Sequence, residues 1–310
     1  MIDLKSLVKA GVHFGHQSSR WCPRMAGYIW GQKNGVHLID ISKTAIQLER
    51  ASKFLENTIK EGKTILWIGT KKSAQLAVRE SADTSSMPFV THRWIGGTLT
   101  NRSQVQKSVT KYLHLCDVLK KTDRVHYTKK ELNSFQKRVD RLEKNIGGIV
   151  KMRWPIGALV VVDVRKEQSA IKEARSMNIP VVALVDTNSD PLGIDFVIPA
   201  NDDAPRSIRI LVEYLAQAAL RGKTAFDQTK KDEVEAERAQ FHDKNSKKKE
   251  VKAPEKTESL GEAAVSVKAE ETTEPKEELA PKKVAEKTAE KPGVTKFTKN
   301  APAKKTVEKK

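Results

Sequence analysis

His13 and His16 form an H-x-x-H pair, and Cys22 follows six residues after the second histidine. Those are ligand types for a metal, but structural zinc takes four ligands and no flanking residue completes the set. A second grouping joins His16 to Asp186, Asp202 and Asp203, three carboxylates that follow apolar strands and so gather at one edge of a parallel sheet. A mixed imidazole and carboxylate set suits zinc, with magnesium as the oxygen-preferring alternative, and the ion would be structural. The competing reading makes Asp203 the N-cap of the helix that contains Pro205.

A third grouping is Gly69, Thr70, Lys71, Lys72 and Ser73, directly after an apolar run and at the opening of a helix. Two lysines beside free backbone N–H groups can hold a phosphate, and the same residues equally describe an ordinary helix start. The second glycine of a phosphate-binding P-loop is missing, no G-x-G-x-x-G follows a strand, and there is no G-x-S-x-G elbow. No His–carboxylate–nucleophile set follows from spacing, so no cofactor is required and no small-molecule substrate is expected. The runner-up is a nucleotide-dependent or phosphosugar α/β enzyme with a basic insertion.

Aromatic residues stand beside cations at several points: Trp21 near Arg20 and Arg24, Tyr28 and Trp30 near Lys33, Trp94 beside Arg93, Trp154 beside Arg153. Such pairs can stack on splayed bases of a nucleic acid. Trp30 is expected in the core, and Trp21 and Trp94 at a surface that docks a partner. Gly11 and Gly15 leave the segment 11–24 pliable, which suits a docking element.

These groups need elements to hold them. TILWI at 64–68, ALVVVD at 158–163, PVVALVD at 180–186 and a weaker run at 196–198 read as strands. Amphipathic helices separate them over about 42–62 (N-cap Ser42, staple Ile41 and Ile46), 71–80, 167–177 and 204–220, the last stopping at Gly222. Continuous Val/Ile/Leu runs alternating with helices indicate an α/β fold: a parallel sheet flanked by helices.

Residues 102–153 break that rhythm. Val105, Val109, Tyr112, Cys116 and Leu119 are spaced 4, 3, 4, 3, and Leu132, Phe135, Val139, Leu142 and Ile146 are spaced 3, 4, 3, 4. Two apolar seams of that period predict two helices packed as an inserted antiparallel hairpin. Thr128 with Glu131 makes a capping box at the second helix, and Gly147–Gly148 ends it. The outward faces carry Lys107, Lys111, Lys129, Lys130, Lys137, Arg138 and Arg141, and the segment holds 14 basic against 5 acidic residues. A surface of that sign suits a polyanion. The candidate RNA-binding residues are these seven with Arg20, Arg24, Lys71, Lys72, Arg93 and Arg102.

The balance of charge over the 310 residues agrees, with 57 Lys+Arg against 39 Asp+Glu and a formal charge of +18. Residues 243–310 hold 18 Lys and 13 Asp+Glu and no Arg, Trp, Tyr or Cys. Such a stretch buries too little to offset chain entropy, so it reads as disordered. The expected organisation is a discontinuous α/β domain of residues 1–101 and 154–225, the insertion 102–153, and a tail 226–310 that is helical at its start at most. Two cysteines make no disulfide framework, the chain start has neither secretory nor transit character, and the longest apolar runs are too short for a bilayer. A cytoplasmic protein is expected.

The stretches GVHFGHQ (11–17), YIWGQKNGVHLIDISKT (28–44), WIGTKK (67–72), HRWIGGTLTN (92–101) and VDTNSDP with IDFVIPANDDAPRSI (185–208) resemble the bacterial ribosomal protein S-two family. The resemblance runs from about residue 4 to residue 222, in contiguous blocks. It implies a non-enzymatic constituent of the small ribosomal subunit that binds ribosomal RNA, acts in translation and helps to hold ribosomal protein S-one. Arg102 departs from the family pattern, which usually has an aromatic there, and the Lys/Glu/Ala/Pro tail lies outside the shared region.

Overall fold

A computed structural model describes residues 2–120 and 127–250. Five parallel strands form the main sheet: β4 (Thr64–Ile68), β5 (Phe89–Val90), β6 (Ile156–Val162), β7 (Val181–Val185) and β8 (Phe196–Pro199). Their spatial order is β5-β4-β6-β7-β8. β5, only two residues long, has no counterpart among the expected strands.

Every residue of β6 and β7 is buried, as a sheet covered on both faces requires. The period of two divides the strands between two cores. Ile65, Trp67, Val160 and Leu184 pack with Leu48, Leu55, Leu211 and Leu215 from α2 (Ile41–Lys60) and α7 (Pro205–Glu250). α3 (Lys72–Ser85) joins this layer through Ala74 and Val78. On the other face, Leu66, Ile68, Leu159 and Val161 meet Ala170 and Ile171 of α6 (Gln168–Ser176).

Two helix starts differ from expectation. Asp40, not Ser42, caps α2, its Oδ1 accepting the Ser42 N–H at 3.0 Å. At α7 the Asn201 side chain accepts from the N–H groups of Asp203 and Ala204, which leaves the Asp203 carboxylate free for other contacts. The end of α7 is also corrected: the helix passes through Gly222 and continues to Glu250. A Cβ on Gly222 would lie 2.6 Å from the Glu56 carbonyl oxygen of α2, so this glycine permits close helix packing rather than ending a helix. The expected disorder beyond residue 250 lies outside the described residues.

The first forty residues add α1 (Leu4–Ala10) and a separate antiparallel sheet of β1 (Phe14–Gln17), β2 (Ile29–Lys33) and β3 (Val36–Ile39), in the order β1-β3-β2. α4 (Arg102–Lys120) and α5 (Lys129–Ile146) follow β5, and they pack on one another. Thr128 and Glu131 make the full capping box at α5. The buried residue of α4 is Leu115, not one of the expected seam positions, because it lies three residues from Tyr112 and four from Leu119 on the same face. On α5, Val139 and Ile146 are buried, while Leu132, Phe135 and Leu142 are half-buried. Val105, Val109, Tyr112 and Leu142 pack against the α6-side core. Among the described residues no helix is long and apolar enough to cross a membrane.

Candidate functional site

Carboxyl ends of parallel strands gather polar residues, since the chain leaves the core there, and ligands of open α/β sheets bind at that edge. Here the edge carries Thr70 and Lys71 after β4, Asp163 after β6, Asp186 after β7 and Asp202 after β8. The amino-terminal segment lies across it. Cys22 donates its N–H to the Thr187 carbonyl at 2.8 Å, His16 its N–H to Thr187 Oγ1 at 2.9 Å, and Asn201 its N–H to the Val12 carbonyl at 3.1 Å. Gly15 makes the approach possible: a Cβ there would meet the Thr187 side chain at 2.7 Å.

Lys71 does not reach outward. Its Nζ lies 2.5 Å from Asp203 Oδ1, 2.7 Å from Asp202 Oδ1 and 3.6 Å from Asp163 Oδ2. Burial pulls the ammonium down, but the hydrogen bonds to Asp202 and Asp203 outweigh it and hold Lys71 above its ordinary pKa. Burial pushes Asp202 up to about 7, against the opposing Lys71 contact, with Asp186 and Asp163 adding repulsion. The two shifts imply different charge states for the pair. Three carboxylates surround Lys71 within 3.6 Å, so its charge is the fixed one and Asp202 is the member that titrates. Burial also raises Asp203, but the Lys71 contacts bring its carboxyl below the ordinary range. Beside them, Thr70 donates its hydroxyl to the buried Glu167, whose pKa burial raises.

His16 sits between two carboxylates, Nδ1 3.1 Å from Asp186 Oδ2 and Nε2 3.1 Å from Asp203 Oδ2. The Asp186 contact, opposed by burial, raises its pKa. Yet Nδ1 is buried and meets no hydrogen-bond geometry, so proximity to Asp186 does not satisfy it as a donor. One ligand atom each from His16, Asp186 and Asp203 falls within 4.8 Å of the others. Asp202, expected in the same set, turns to Lys71 instead.

The other expected residues are dispersed. Lys72, Arg93 and Arg20 are exposed, and Arg24 pairs with Asp190. Arg102 lies over the Trp154 ring, 5.3 Å from its centroid. Lys107, Lys111, Lys129, Lys130, Lys137, Arg138 and Arg141 are all exposed, and among the described residues none has a carboxylate within ion-pair distance.

Two of the tryptophans, Trp94 and Trp30, reverse expectation. Trp94 is 8% exposed, its indole N–H bound to Glu173, so its ring is not offered to a partner. Trp30, expected in the core, is 75% exposed on the edge strand β2. Trp21 is 38% exposed and leans on His37, and Phe14 on the opposite edge strand is 50% exposed. Phe14 and Gly31 flank the same β3 residue, Leu38. Strand alternation could have exposed Trp30 in the sequence had the first forty residues been read as strands. Residues 7–222 match the family model described as Ribosomal protein S2.

Proposed function

Since the chain belongs to the ribosomal protein S2 family, we propose that it grips small-subunit ribosomal RNA chiefly through α4 and α5. Members are structural and non-enzymatic, and the chain is a ribosome-associated constituent of the small subunit that acts in translation. On our reading, α4 and α5 form an antiparallel hairpin arm inserted between residues 1–101 and 154–225. The observation that carries the proposal is the set of seven exposed cations on the arm that have no carboxylate partner among the described residues. Val105, Val109, Tyr112 and Leu142 are engaged in packing, so the outward faces are dominated by charge, and a phosphate backbone is the complementary partner. Lys72, Arg93 and Arg20 are further exposed cations, outside α4 and α5, that can meet the same polyanion. Lys71 cannot, being enclosed by carboxylates. Cosedimentation with small subunits at rising salt tests this: steep, salt-dependent release supports it, and retention indifferent to salt contradicts it.

The protein neighbour is ribosomal protein S-one, and Phe14, Trp21 and Trp30 are exposed aromatic side chains open to a protein contact. The setting is the cytoplasmic ribosome of a bacterium.

The group of side chains at His16 suits a structural metal ion. Nδ1 is a buried nitrogen without a hydrogen-bond partner beside Asp186, which suits a lone pair directed at a cation. His16, Asp186 and Asp203 would hold zinc or magnesium, which would fasten the amino-terminal segment to the strand ends. The ion would supply no chemistry beyond that fastening. His16→Ala should release bound metal and weaken subunit association together. Intact metal content in the variant would overturn the assignment.

A further inference from the structure

Glu173, on α6, makes three hydrogen bonds to a single loop. Its Oε1 accepts the Trp94 indole N–H at 3.0 Å and the Gly97 N–H at 2.8 Å, and its Oε2 accepts the Leu99 N–H at 3.1 Å. The loop joins β5 to α4, and its inner residues are almost wholly enclosed: Trp94 is 8%, Thr98 1% and Leu99 1% exposed. Gly97 has φ +86°, the left-handed conformation that lets the turn present two N–H groups to one carboxylate. Among the described residues Glu173 has no cationic partner, so its charge is met by these neutral donors alone.

The chain from this clamp to α4 is short and continuous. Asn101 donates its N–H to the Gly97 carbonyl at 2.8 Å, and its side chain accepts from Gln104 N–H and the Ser103 hydroxyl in the first turn of α4. Arg102 then rests on Trp154, just ahead of β6, so the arm is held at its root from both sides of the insertion.

We propose that Glu173 is a positioning residue for RNA binding: it fixes the loop at 94–99 and with it the direction in which α4 and α5 project. The proposal rests on the RNA reading of the arm. A rigid arm presents its cations already in register, whereas an arm that pivots at the root must be ordered as it binds. Glu173 touches no RNA in this account and acts through the arm.

The test is Glu173→Gln in the full chain, assayed for association with small subunits stripped of this protein across a salt series. Glutamine keeps the shape, but it replaces one accepting oxygen by an NH2 group that faces an N–H donor. Affinity should fall about tenfold at fixed salt through lost preorganisation. The slope of log affinity against log salt should not change, because the arm keeps every cation. Hydrogen exchange at Gly97 and Leu99 should quicken while β6 and β7 stay protected. Affinity equal to the parent's overturns the proposal, as does a loss accompanied by a flatter slope, which would mean lost phosphate contacts. Should that variant fail to fold, Trp94→Phe removes one donor and keeps an aromatic ring at the site. A smaller loss with the parental slope then supports positioning, and no loss overturns it. A parent chain without salt-dependent association overturns the RNA reading and this proposal together. A variant indistinguishable from a salt-sensitive parent overturns this one alone.

Discussion

Lys71→Met should destabilise the fold and leave RNA binding per folded molecule unchanged. The substitution keeps an unbranched stem, one atom shorter, and deletes an ammonium held by Asp202 at 2.7 Å, Asp203 at 2.5 Å and Asp163 at 3.6 Å. Breaking one side of a buried ion pair costs about 3–5 kcal/mol when the partner is left charged. Two features lower that figure. The Asp203 side chain is 56% exposed, so its contact is screened and contributes under about 1 kcal/mol. Asp202, already near 7, can take up a proton and escape as a neutral acid. What remains at pH 7 is mainly the lost charge-assisted hydrogen bond to Asp202, about 2–3 kcal/mol.

The pH dependence follows from the same group. In the parent, Asp202 is ionised above about 7, so its contribution is level there. Without Lys71 its folded pKa rises further, and between the two values the folded variant holds a proton that the unfolded chain has released. Stability of Lys71→Met therefore falls relative to the parent as pH rises above 7, by at most about 1.4 kcal/mol per unit. Urea titrations at pH 7 and pH 9, in a chelating buffer, read both quantities. Equal stability at both pH values, with the RNA salt slope lowered by about one, would refute the internal role and make Lys71 a phosphate ligand.

Gly222→Ala should destabilise by about 1–2 kcal/mol, because the strain of a Cβ meeting Glu56 outweighs the ~1 kcal/mol that alanine gains as a helix former; a higher thermal midpoint would contradict the close-packing account. Val139→Ala should cost about 2 kcal/mol at a site 6% exposed. Amide exchange should then quicken in α4 and α5 while β6 and β7 keep their protection. Phe135→Ala should cost less than Val139→Ala despite the larger truncation, since its ring is half-buried and meets Tyr127 edge-on. The reverse order in urea titrations would misplace the buried line of α5.

The parallel sheet was legible in the sequence because each of its long strands is buried on both faces and therefore reads as an unbroken apolar run, as in 158–162. The capping box at Thr128 and Glu131 was legible too, being a local pattern with a local cause. The amino-terminal sheet was missed although it carried a signal: Asn34 and Gly35, with φ of 51° and 77°, are the two-residue turn between β2 and β3. Its strands are short and half-exposed, so apolar periodicity alone does not reveal them. Trp30 was misplaced for that reason. Gly222 misled in the other direction: its role depends on a helix 166 positions earlier, and no spacing rule reports that. At the strand ends, the sequence grouped His16 with Asp186, Asp202 and Asp203; the structure sets Asp186 and Asp203 beside the imidazole and Asp202 against Lys71, a choice decided by distance in three dimensions. Glu173 gave no sequence signal, since its three donors lie 74 to 79 positions away.

The most direct test of an RNA grip through the arm is to replace Lys129, Lys130, Lys137, Arg138 and Arg141 together by Ala and measure association with stripped small subunits across a salt series. Alanine is a better helix former than the residues it replaces, so α5 should keep its structure. Up to five phosphate contacts disappear, and each carries about 0.7–0.9 of slope, so the dependence of log affinity on log salt should flatten by up to about 4. A slope and affinity equal to the parent's, with the arm intact by hydrogen exchange, would contradict the account.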